Sequence, residues 1–166
     1  LTLLPFRSPE AGQFPPNPLS PHERITGTID GAEITISYGR PSMRGRAIMG
    51  SLVPYNRDWT PGADEATTLA TSRALQIRQV VVPAGEYSVW MRPTEDRWTM
   101  FLNTNADLFH TAIRNRREDL QGILLQKRAL DPPVERLTFV VEPNPSEPGG
   151  VIRMMWETTE LLAPFT

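Results

Sequence analysis

Residues 38–67 concentrate the side chains that could do chemistry. The segment reads YGRPSMRGRAIMGSLVPYNRDWTPGADEAT, with four Arg, four Gly, three Pro, Trp59 and the acidic pair Asp64–Glu65. Arg40, Arg44 and Arg46 offer planar forks that grip a carboxylate or phosphate in two places. Asp64 or Glu65 could accept a hydrogen bond or a proton. One reading of this set is an anion or carboxylate pocket, and Glu65 as a base would extend it to a hydrolase. The other is an internal ion-pair network that fastens a long, Gly- and Pro-punctuated excursion to a sheet. The second is preferred, because such an excursion must be tied down and Arg–carboxylate pairs do this well. Desolvation makes such pairs weak sources of net stability but good specifiers of one loop geometry.

Other reactive constellations are sparse. His22 and His110 are the only imidazoles. With Glu23 they could complete a three-ligand zinc site only if distant strands met, so surface or capping roles are favoured. No H-E-x-x-H, calcium-loop spacing, G-x-S-x-G, P-loop or dinucleotide fingerprint is present. Ser42 and Ser51 lie in the excursion without an evident base and read as turn residues. No cofactor and no metal is expected. Trp90, Trp98 and Trp156 fall at alternating strand positions and suit a core, whereas Trp59 and Tyr55 lie off the strands and could form a sugar platform.

These groups need elements to hold them. Ile25–Asp30 and Glu33–Tyr38 alternate around Asp30-Gly31, a strong tight-hairpin signal. Thr67–Ser72 and Leu75–Val82 read as the next strands. Glu86–Arg92 and Arg97–Asn103 alternate with large apolar groups on both faces, which predicts a central, sandwiched hairpin. Residues 107–120 break the pattern and read as a short helix or irregular loop, with Asp107 as N-cap. Gly122–Lys127, Arg136–Glu142 and Val151–Thr158 complete eight or nine short strands. The expected fold is an all-β, antiparallel β-sandwich or jelly-roll-like single domain over residues 22–166, with one short helix.

Residues 1–21 form an extended arm. Its six Pro fix φ and remove donors, so polyproline-like backbone is expected. Yet Leu3, Leu4, Phe6 and Phe14 are apolar, as anchors on another protein would be. The net charge of −2 gives no reason to expect nucleic-acid binding. Cys is absent, which excludes disulfides, iron–sulfur clusters and thiol nucleophiles. No apolar run reaches the roughly 20 residues of a membrane helix, so any membrane contact is expected to be peripheral. The basic run Arg114–Arg117, with Lys127-Arg128, reads as a solvated face that could meet an acidic partner or anionic lipid headgroups.

Ser20-Pro21-His22-Glu23, Tyr38-Gly39-Arg40-Pro41-Ser42, Arg44-Gly45-Arg46, Leu52-Val53-Pro54-Tyr55, Gly62-Ala63-Asp64-Glu65-Ala66-Thr67 and Val82-Pro83-Ala84-Gly85-Glu86-Tyr87-Ser88 carry a resemblance. Together they resemble the bacterial domain-of-unknown-function family 2911, over residues 20 to about 165. The resemblance implies an exported β-sandwich and no particular reaction. The chain departs from the family pattern at Asn56, Thr60 and Leu108-Phe109-His110, so a family site built on those positions would be altered here. The chain begins with Leu, which fits a processed N-terminus and a periplasmic or secreted protein. The expected function is a non-enzymatic interaction module, an extrinsic subunit held by its arm to an envelope or membrane complex. The alternative is a small-ligand or glycan-binding sandwich using the 38–67 loop.

Overall fold

The computed structural model describes residues 20–109 and 113–166. The partner-anchor candidates Leu3, Leu4, Phe6 and Phe14, and also His110, lie outside the described residues. Nine antiparallel strands make one open sheet: β1 (His22–Ile29), β2 (Ala32–Gly39), β3 (Thr68–Thr71), β4 (Leu75–Ile77), β5 (Val80–Val82), β6 (Gly85–Pro93), β7 (Trp98–Asn103), β8 (Ile123–Pro143) and β9 (Gly150–Phe165). Their spatial order is β1-β2-β3-β6-β7-β8-β9-β4-β5.

Local chemistry explains the elements. Asp30 (φ 50) and Gly31 (φ 79) both take positive φ, the geometry of a two-residue hairpin whose twist matches its strands. That turn sets Ile29 opposite Ala32 and Arg24 opposite Ser37. Alternation then buries Ile34, Ile36 and Tyr38 on one face of β2. The β6–β7 hairpin buries Tyr87, Val89 and Met91 with Trp98, Met100 and Leu102, while Trp90 is buried on the other face.

The sheet folds over itself because β8 is long enough to serve both halves. Its first residues pair with β7, Trp98 opposite Leu125. Its remainder pairs with β9 from Gln126 to Pro143. The far part of β8 then lies against β1 and β2. The Tyr38 and Phe139 rings meet edge-on with centroids 4.9 Å apart, and the Phe139 amide donates to Tyr38 Oη at 3.0 Å. Gly27 permits this approach, since a Cβ there would sit 2.8 Å from Val141 Cγ1. Ile34, Leu69, Trp98, Leu137 and Trp156 share the resulting core.

Of the short helix or irregular loop expected over residues 107–120, the structure shows a loop with one short helical turn. Among the described residues of that stretch the only helical piece is a 3-10 turn, Arg116–Glu118. Asn115 captures the Arg117 amide with its side chain, and both Asn115 and Asp119 have extended backbone, so the turn cannot lengthen. No helix among the described residues is long and apolar enough to cross a membrane.

Candidate functional site

The excursion between β2 and β3 is a built layer. Ile48 and Val53 are fully buried and plug it into the core. Trp59 and Met91 exchange two backbone hydrogen bonds of 2.7 Å, which adds a short rung beside β6. Met43 donates its amide to Glu135 O, and Leu137 donates to Pro41 O, tying the excursion to β8. The Glu157 carboxylate accepts from the Ile48 amide at 2.6 Å and the Met49 amide at 3.2 Å.

The structure disperses the candidate residues. Arg40 Nη1 pairs with Glu23 Oε2 at 2.6 Å, and its other nitrogens donate to Leu137 O at 3.0 Å and Thr138 Oγ1 at 2.9 Å. It rivets the end of β2 to β1 and β8. The Arg44 amide bonds the Glu135 carboxylate, so this residue also serves the attachment to β8. Arg46 is exposed and turns back on the carbonyls of Met43 and Ser42. Asp64 pairs with His22 Nε2 at 3.1 Å, both half exposed. Glu65 is exposed, and its backbone bridges to Phe109. Carboxylates that fasten the excursion thus include Glu23, Glu135 and Glu157, with Asp64 holding His22 of β1. Trp59 is no platform: its ring stacks on Trp156 at 6.3 Å and meets Trp98 edge-on at 6.1 Å.

A different ionic centre stands at Asp58. Its Oδ1 accepts from Arg92, at 2.7 Å from both Nε and Nη2. Its Oδ2 accepts from Arg114 Nη1 at 2.6 Å and Arg116 Nη2 at 2.9 Å. Arg114 also grips Asp119 at 3.0 Å, and Asn103 Nδ2 donates to the same carboxylate at 2.8 Å. The Arg114 guanidinium lies 5.1 Å from the Trp90 ring and 5.3 Å from the Phe101 ring, with its side chain only 4% exposed. Burial opposes ionisation of Asp58, but hydrogen bonds and charge from Arg114 and Arg92 outweigh it and hold the carboxyl below its ordinary range. Burial likewise opposes the charge on Arg114, and Asp119 with Asp58 overcomes it. The arrangement clamps residues 114–119 to the excursion and to β6. Reading Arg114 as part of a solvated face was therefore mistaken. Its depth depends on Trp90 and Phe101 coming together from neighbouring strands, which no local signal reveals.

A polar groove crosses the outward face of β1, β2 and β3. One opening has a volume of about 470 Å³ and is lined by His22, Arg24, Ser37, Glu65 and Thr68 among others. It continues past Glu65 into a second, of about 500 Å³, with Glu86, Asp107 and Phe109 on its walls. The floor is cross-strand: Arg24 faces Ser37, Ser37 faces Thr68, and Thr68 faces Ser88. Hydroxyls and carboxylates here can hydrogen-bond a polar ligand, but no described hydroxyl is bonded to His22, whose ring meets Asp64. Among the described residues no group of three or more His, Asp or Glu is placed to hold a metal ion.

The sequence itself decides the grouping of this chain. The family described as "Protein of unknown function (DUF2911)" matches over residues 20–165. The chain belongs to the DUF2911 family. This DUF2911 chain matches no curated protein and no solved structure. Membership therefore covers the whole β body described above and leaves its role to be argued from physical chemistry.

Proposed function

We propose that this chain is a non-enzymatic interaction module, exported to the periplasm or beyond. In this reading it is an extrinsic subunit held to a larger envelope or membrane protein complex by its first residues. The observation that supports the reading is how the body uses its reactive groups. Arg40, Glu157, Asp58, Arg114 and Glu135 all bond the protein's own backbone or side chains. No described hydroxyl, imidazole and carboxylate are assembled as nucleophile, base and orienting group. A body that spends its polar side chains on its own rigidity suits a platform. Such a platform can carry a recognition segment, and Pro-rich apolar segments bind partners at low entropic cost.

Residues 1–19 supply the proposed contact, with Leu3, Leu4, Phe6 and Phe14 as anchors. Each buried anchor contributes about 1.5–3 kcal/mol. Removing residues 1–19 should abolish co-purification with the partner complex and leave the melting temperature nearly unchanged. Retained co-purification, or a large fall in melting temperature, would refute the arm as the contact.

A further inference from the structure

On the outward face of β6, β7 and β8, cations and apolar groups share one patch. Arg92, Thr99 and Leu124 form a cross-strand row, and Leu124 is 44% exposed. Arg116 spends one nitrogen on Asp58, and its side chain is 65% exposed. Arg57 precedes Asp58 and Arg117 follows Arg116, so they flank the two ends of that bond. Both are exposed, and neither forms an ion pair with a described residue. Ile113, just before the buried Arg114, is 99% exposed. Five guanidiniums (Arg57, Arg92, Arg114, Arg116, Arg117) here meet three carboxylates (Asp58, Glu118, Asp119). The patch is thus positive on a chain whose net charge is −2.

We propose that this patch seats the protein on an anionic lipid surface, with Ile113 entering the headgroup–acyl boundary and Arg57, Arg116 and Arg117 meeting lipid phosphates. Charge complementarity selects a negative surface, and guanidinium forks suit phosphate oxygens. Ile113 selects lipid over an acidic protein. A lone, fully solvated aliphatic side chain that precedes the arginine-bearing segment 114–117 matches a soft boundary where apolar and charged groups are met at different depths. An acidic protein face would satisfy the arginines and give Ile113 no apolar environment. The inference does not depend on residues 1–19.

The test is sedimentation of the full chain with vesicles of phosphatidylcholine alone, and with about a third phosphatidylglycerol. Binding should require the anionic lipid and weaken steeply with salt. Arg57→Ser with Arg117→Ser should weaken it by about 25-fold, at roughly fivefold per charge. Ile113→Ser should weaken binding while leaving its salt dependence unchanged. These side chains bond no described neighbour, so the variants should melt like the parent, and a binding loss is then a surface effect. Absence of vesicle binding, or variants that bind like the parent, would overturn the proposal. So would binding to polyglutamate with vesicles ignored, which would assign the patch to an acidic protein.

Discussion

Asp58 holds three guanidiniums with two oxygens, and only Arg114 among them is deeply buried. Removing the carboxylate takes one of two counter-ions from that buried charge and leaves only Asp119 beside it. Asp58→Ala should cost about 3 kcal/mol, the low end for a broken buried pair. The pH dependence has a definite sign. The folded carboxyl titrates below its ordinary value of 3.8. Its contribution is therefore complete above 3.8 and is lost as pH falls through the lower folded value. The melting-temperature gap between parent and Asp58→Asn should be widest near neutrality and shrink below 3.8; a gap constant with pH would contradict this. At the same scale, residue types suggest arginines that fasten the excursion but do not name their partners. Arg40 stands beside Glu23 because His22 is registered opposite Gly39, so β1 begins where β2 ends. Pairing across strands of unknown register cannot be read from residue types alone.

Among the elements, β8 and β9 carry the most structural information. Glu157 has φ 54 inside β9, a costly conformation for a residue with a Cβ, and it sits between two register shifts of the β8–β9 ladder. This bulge aims the carboxylate at the amides of Ile48 and Met49. Glu157→Ala leaves both amides without that acceptor and should destabilise by about 1–3 kcal/mol. Limited proteolysis should then cut within residues 44–53 first, and unchanged protection there would refute the role. The hairpins β1–β2 and β6–β7 were legible because alternation and turn residues agree. Residues 122–127 and 136–142, expected as two strands, are joined in the single β8 across Pro132-Pro133. The structure tolerates them where the ladder skips from Ala129 to Val134, so no pairing donor is lost. The end of β9, Leu161–Phe165, does not alternate. It lies between β8 and β4 with most of its residues buried, and strands covered on both faces lack a period-two signal.

For the whole molecule, the decisive fact is that one core joins both halves of the folded sheet. Leu137 on β8 is fully buried with Ile36 of β2 and Met154 of β9 in that same core. Leu137→Ala should therefore lower global stability by about 2–5 kcal/mol. Tryptophan fluorescence and far-ultraviolet dichroism should still report one coincident transition; separate transitions would mean the halves unfold independently. The open topology has one more consequence. A sheet whose outer strands are unpaired is a template for edge-to-edge growth into filaments. Here one margin, β5, is only three residues long, and the other, β1, begins with His22, Glu23 and Arg24 directly after Pro21. Shortness guards the first and charge the second, so any assembly of several copies is steered away from strand-by-strand extension and toward contacts between faces.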